Sequence, residues 1–355
     1  DEKSVYTVFE VLNSRGLDVS WLDRLKSLLM GAAFELKGAN RQGLIDDLHH
    51  IWRKIYTVIG LRQGMNTEAL RFAATLRSSE LPNRPISERD SVECINALAV
   101  GAQKIRDAAG WLLRVTEACD SIFKSQRLNA VTRISQARLL ATAIHLRDDL
   151  SEGQRSALLA RWENVSFRIY GVFGNDARLS VGDYVRLAWR TVNENLSPAM
   201  IDAGLVQLGE NYRIKDYFDD FKGASWYEGC EAELRYFMYR YEEHLAHQRN
   251  QKFSNEQWER IWMVSPSESI EHIWPASKAP GNLKHSLGNL ILLPPGLNSS
   301  LQDKPPKEKA SEYRKTGLLI ASEVADLIEG QGWSRKVVES REKALLEWAS
   351  QEWDE

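Results

Sequence analysis

Glutamate and histidine stand side by side in Glu271-His272-Ile273-Trp274-Pro275, followed by Gly288-Asn289 and then by Asn298. Hydrolysing a phosphodiester takes a base for the attacking water, a cation to meet the charge that builds on phosphate and leaving oxygen, and a group to hold the base. These residues offer a candidate for each task. His272 can deprotonate water near neutral pH, where an imidazole titrates. Glu271 and Asn298 carry hard oxygens, which suit Mg²⁺ or Mn²⁺ better than zinc. Two protein oxygens would leave the other octahedral positions to water and phosphate, as Mg²⁺ prefers. Asn289 can fix the loop or the ring that carries His272.

The elements needed to position them can be read locally. Ile270 to Ile273 is a short β-prone run stopped by Pro275, which has no amide hydrogen and a fixed φ. Leu287 to Leu293 is a second apolar run, broken by Gly288 and Asn289 near its start and by Pro294-Pro295 at its end. The predicted order is strand, long loop, strand, helix. Taken singly the residues have plainer readings: Asn289 as a turn residue, Asn298 as a helix cap, and a His-x-x-Pro as the accident of a strand end. Order and spacing carry the argument. His285 is the rival base, placed in the loop before the second strand with no adjacent carboxylate in sequence.

Glu271-His272-Ile273-x-Pro275, His285-Ser286-Leu287-Gly288-Asn289-Leu290, Asn298, Lys309 and Tyr313 together resemble the HNH (His-Me finger, ββα-metal) domain at the C-terminus of GmrSD-type restriction nucleases and of the related SspE phage-defence nucleases. The resemblance implies His272 as general base, Glu271 and Asn298 as metal ligands, and Asn289 as the orienting residue. The nine-residue separation of Asn289 and Asn298 also resembles the HNH domain of RNA-guided nucleases. Many HNH sites carry aspartate where this chain has Glu271. Nearer the N-terminus, Val8-Phe9-Glu10-x-Leu12-Asn13-Ser14-Arg15-Gly16 and Asp23-Arg24-Leu25-Lys26 resemble the end of the ParB-like domain that precedes this nuclease in GmrSD-type proteins. That domain's nucleotide-handling motif is absent here, so no NTPase activity is expected; Asn13 and Arg15 either serve the missing domain or form a plain turn between two helices.

The rest of the chain bounds the reading. Hydrophobic residues at 43% and charged residues at 27% are globular values, and 355 residues suffice for two or three domains. Cys94, Cys119 and Cys230 lie far apart without a Cys-x-x-Cys, so neither a disulfide framework nor a zinc knuckle is indicated, and a reducing cytoplasmic setting is expected. No signal peptide and no membrane-spanning run is expected. A net charge of −3 argues against a chain that coats DNA along its whole surface. From His272 to Gly317, however, seven lysines and arginines face three acids, a local surplus of +4 that suits a phosphate backbone. Lys304 and Lys309 are its candidate contacts, against the alternative of a solvated helix face paired through Glu312.

Periodicity predicts two helices within 1–38, with Ser20 capping the second, and an almost wholly helical stretch from about 40 to 222. Trp52, Trp111, Trp162 and Trp189 are expected in the core and not as base-stacking platforms. His49-His50, and His244 with His247, lack accompanying acids at a metal-binding spacing. Leu234, Phe237, Met238 and Tyr241 predict a helix ahead of the hairpin, and two helices are expected to close the chain, about 320–329 and 334–353. The expected fold class is mainly α: a ParB-like remnant (1–38), a helical domain (39–225), and a ββα-metal module embedded in helices (226–355). Its start at Asp1 suggests a piece of a longer protein. The expected function is a Mg²⁺- or Mn²⁺-dependent DNA endonuclease of a prokaryotic anti-phage restriction system linked to modified DNA, with the missing ParB-like domain as its partner. The alternatives are a DNA-binding module without catalysis and a nuclease for RNA.

Overall fold

A computed structural model describes residues 20–37 and 41–354. The first helix expected near the N-terminus, and Asn13 and Arg15, lie outside the described residues. The chain divides into two compact units, one running to Glu163 together with Asp176–Leu208, the other comprising Asn164–Asn175 and Gly209–Glu355. The division expected near residue 225 compares with a change of unit after Leu208.

The first unit is built of α1 (Trp21–Glu35), α2 (Arg41–Ile59), α3 (Met65–Thr75), α4 (Glu88–Leu98), α5 (Ala102–Lys124), α6 (Gln126–Val131), α7 (Ser135–His145), most of α8 (Glu152–Phe167), α9 (Val181–Asn193) and most of α10 (Pro198–Gly209). Starts follow from caps: Ser20 Oγ accepts from Asp23 N and donates to the Asp23 carboxylate, while Ser87 and Ser125 accept from Asp90 N and Leu128 N. The α2 stripe buries Leu44, Leu48, Trp52 and Ile55, with Ile51 and Val58 at its edge. The four tryptophans are anchored in this unit. Trp111 Nε1 donates to Ala73 O, Trp162 Nε1 to Ala137 O, and Trp189 Nε1 to Ser78 O. Trp52 is wholly buried, so its face is not offered to a base.

The second unit holds the hairpin. Its elements are α11 (Glu231–Gln248), α12 (Asn255–Trp262), α13 (Pro266–Ser269), β1 (Ile270–His272), β2 (Leu290–Leu292), α14 (Pro295–Leu301), α15 (Pro306–Lys315), α16 (Leu319–Gln331) and α17 (Arg335–Trp353). The stripe Leu234, Phe237, Met238 and Tyr241 on α11 is buried, as are Leu345, Leu346 and Trp348 on α17. Phe237 packs edge-on against Trp226, Trp348 and Trp353, a geometry that aromatic quadrupoles favour. Glu242, on α11, accepts from Leu319 N and Ile320 N at the start of α16, two donors that the helix itself leaves unpaired. Burial pushes its carboxyl up to about 7 despite those bonds.

The two strands pair antiparallel, Ile270 with Leu292, Glu271 with Ile291 and His272 with Leu290. Each has only three residues, shorter than the apolar runs suggest. The missing part of the second run is a 3₁₀ turn, Leu287–Asn289, shaped from outside by α17. Arg341 Nη1 donates to the carbonyls of Leu287, Gly288 and Leu290, and a Cβ on Gly288 would lie 2.1 Å from Val338 O. Backbone touches backbone there, so only glycine fits. Gly288→Ala is expected to cost about 1–3 kcal/mol through overpacking, read as a lowered thermal midpoint of unfolding; an unchanged midpoint would show that α17 can move aside.

Candidate active site

Strand alternation sends Glu271 and His272 to opposite faces of the hairpin. The Glu271 carboxylate turns inward. Its Oε1 accepts from Lys309 Nζ at 2.6 Å and from the Tyr313 hydroxyl at 2.8 Å, and Lys309 Nζ also donates to His272 O at 2.8 Å. Lys309 is fully buried and Glu271 is 4% exposed. Burial pushes the Glu271 carboxyl above its ordinary range, with the Lys309 charge and the bonds from Lys309 and Tyr313 pulling against it. One expectation changes here. Lys309 cannot touch a phosphate backbone, because its ammonium closes a buried ion pair under the strand. Of the Glu271 carboxylate, Oε1 is taken by Lys309 and Tyr313, and Oε2 stands beside an ammonium that offsets the carboxylate's charge.

Asn289 is wholly buried, and its amide is used to capacity. Oδ1 accepts from Trp274 N at 2.8 Å and Trp333 Nε1 at 3.3 Å, while Nδ2 donates to Trp274 O at 3.0 Å and Lys284 O at 3.1 Å. It clasps both ends of the long loop, and so fixes the backbone after His272 and not the imidazole. Asn298 lies inside α14 and is not its N-cap: Nδ2 donates to Glu268 O at 2.9 Å and Ile270 O at 3.1 Å, at the end of α13. Two carbonyls on one side demand the amide nitrogen there, which leaves Oδ1, the hard donor, for another partner.

His272 ends β1 with its ring against a second histidine. Nε2 lies 3.0 Å from His285 Nδ1. Tyr227 stacks on His285, centroids 4.9 Å apart, and meets His272 edge-on at the same separation. His285 Nε2 is 3.7 Å from Glu228 Oε1. Burial pushes the His272 imidazole down to about 4, aided by the charges of His285, Lys284 and Lys309; His285 is lowered by burial and by Lys284, with Glu228 opposing. A neutral imidazole at pH 7 is a base in its competent form. The carboxylate that His285 lacks in sequence is thus supplied by distant chain. Trp226 N donates to His285 O at 2.9 Å and brings Tyr227 and Glu228 alongside. No local pattern marks those residues; the histidine in the loop was the only sign.

The basic stretch is partly spent on internal pairs. Arg314 bridges Asp326 and Glu329, Lys315 pairs with Glu312, and Lys278 donates to Asp303 O. Among the described residues, Lys284, Lys304 and Lys307 have no acidic partner, and Lys284 adjoins the histidine pair. No group of three or more His, Cys, Asp or Glu side chains able to hold a metal occurs among the described residues. The candidate oxygens for a cation are Asn298 Oδ1 and Glu271 Oε2, the latter buried beside the Lys309 ammonium; oxygen donors of this type suit a hard, largely hydrated ion.

Residues 212–348 match the family model of the C-terminal domain of GmrSD restriction endonucleases. Every residue of the site lies in that span, so the part of the chain that carries the site is similar to the C-terminal domain of a restriction endonuclease family. No curated protein matches the chain. No helix among the described residues is long and apolar enough to cross a membrane.

Proposed function

We propose that the second unit is a divalent-metal-dependent DNA endonuclease of the ββα-metal (HNH) type, acting in restriction of phage DNA with modified DNA as target or trigger. The observation that carries this reading is the neutral His272 imidazole at a strand end, in a loop clasped by Asn289, within the segment that matches the GmrSD restriction family. His272 takes a proton from water; the new hydroxide forms a bond to phosphorus as the bond from phosphorus to the 3′ oxygen breaks. Asn298 Oδ1 and Glu271 Oε2 would hold Mg²⁺ or Mn²⁺, which when bound neutralises charge on the phosphate and the leaving oxygen. Lys284, Lys304 and Lys307 supply positive charge for the strand. Lys309 and Tyr313 hold Glu271 and the backbone of His272 in place. One such site cuts one strand, so the product is a nick unless two copies act together. A ParB-like domain in the same protein would be the natural sensor.

The test is relaxation of supercoiled plasmid. Nicking is expected in Mg²⁺ or Mn²⁺ and is expected to stop in EDTA, with an RNA of similar length left intact. Cleavage of both nucleic acids alike would make it a general or RNA nuclease, and DNA binding without cleavage in any cation would make it a binding module.

A further inference from the structure

A cavity of about 860 Å³ opens along α5, within the first unit. Small-molecule sites span roughly 300–1,000 Å³. One wall is apolar, with Ile51 on α2 and Ile95 and Leu98 on α4. The other is cationic. Arg77, just after α3, lies with its guanidinium 4.3 Å from the centroid of Trp111, whose Nε1 is itself tied to Ala73 O at 2.9 Å. Stacking fixes the plane of the guanidinium, and no carboxylate bonds to its N–H edge among the described residues. Arg114 spends only Nη2, on Asp148 and on Leu146 O. Lys104 has no ion pair among the described residues, whereas Arg106 is neutralised by Asp47. Burial holds the Arg77 guanidinium below its ordinary range, with the charge of Arg114 adding to the effect and Asp107 opposing it.

Two like charges are thus held close, and an anion between them would relieve their repulsion. Acceptors complete the lining. Asn193 spends Nδ2 on Leu76 O at 2.9 Å and Trp189 O at 2.8 Å, which leaves Oδ1 to accept; Asp107 uses one oxygen, on Gln103 Nε2. A bare inorganic anion has no use for these oxygens or for the apolar wall. A sugar hydroxyl, the amino group of a base and the base's flat face use all of them. We infer that this cavity binds a nucleoside phosphate, with the phosphate between Arg77 and Arg114, Lys104 at the rim, and the base against Ile51, Ile95 and Leu98. A free nucleotide and the phosphorylated end of a nucleic-acid strand share that chemistry. The site lies in the unit that the nuclease reading leaves without a task, and it stands or falls independently of that reading.

Calorimetric titration of the full chain in EDTA tests this without any cleavage. The ligands are the four nucleoside 5′-monophosphates, a 5′-phosphorylated trinucleotide, the parent nucleosides and inorganic phosphate. At least one nucleoside monophosphate or the trinucleotide is expected to bind at one site per chain, with its nucleoside and inorganic phosphate each weaker by about tenfold or more. Arg77→Gln and Arg114→Gln are each expected to weaken binding by about 10- to 100-fold, the effect of losing a hydrogen bond to a charged group. Arg178→Gln, which removes a 93% exposed cation outside the cavity, is expected to bind as the wild type does. Arg114 is 48% exposed, so its variant keeps the fold even if taking Arg77 off Trp111 does not; the thermal midpoint of each variant checks this. Tighter binding of a monophosphate than of the trinucleotide would support the site as one for free nucleotides, and the reverse as one for a strand end. No binding of any nucleotide, inorganic phosphate bound as tightly as the nucleotides, or full affinity in Arg114→Gln would each overturn the inference.

Discussion

Lys309→Met is expected to destabilise the C-terminal unit by roughly 3–5 kcal/mol, the usual cost of removing one partner of a buried ion pair. The ammonium is fully buried and the carboxylate nearly so, and Lys309 also donates to His272 O. Methionine fills much the same volume, so the loss would be electrostatic and not a cavity. What remains is a buried Glu271 with the Tyr313 hydroxyl as its only side-chain donor. Replacing both partners, Glu271→Leu with Lys309→Met, is expected to recover much of that loss, because no charge is then left stranded. The midpoint of urea unfolding, followed by tryptophan fluorescence, measures both. A single variant as stable as wild type would show that the pair is not what holds β1 to α15.

His272→Ala is expected to slow nicking by about 10²- to 10⁴-fold, the range that a positioned general base contributes. The side chain ends a short strand with its ring against His285 and Tyr227, and its backbone is held independently by Lys309 and the paired strand. The fold should therefore survive the change. The pH dependence carries its own sign. An ordinary imidazole titrates at 6.5, whereas burial holds this one down to about 4 in the folded chain. Between those values the unfolded chain binds a proton that the folded chain refuses, so folded stability falls as pH drops through that window and is unaffected above it. The base itself stays neutral there. The nicking rate is expected to keep its neutral value well below pH 6.5, and a fall centred on 6.5 would contradict the buried environment of the ring.

What the sequence discloses is local. Pro275 and Pro294-Pro295 mark where the strands stop, the stripe from Leu234 to Tyr241 marks the helix beneath them, and His272 and Asn289 stand out as candidates by type and order. What it conceals is long-range pairing. Glu271 looks like a free carboxylate until Lys309, 38 residues on, takes one of its oxygens. The second apolar run looks like a seven-residue strand until Arg341 and Val338, on the last helix, bend its first part into a turn. His285 looks isolated because Tyr227 and Glu228 reach it through a single backbone bond from Trp226. Periodicity reports which face of an element is buried, but not which distant polar group waits there.

The most direct measurement is the initial rate of nicking of supercoiled plasmid in Mg²⁺ by the wild-type chain and by His272→Ala, prepared side by side. Steady conversion to the open circle by the wild type, with the variant at the level of plasmid incubated alone, is the predicted result. Equal rates for the two proteins, or an intact plasmid with the wild type in Mg²⁺ and Mn²⁺ alike, would contradict it.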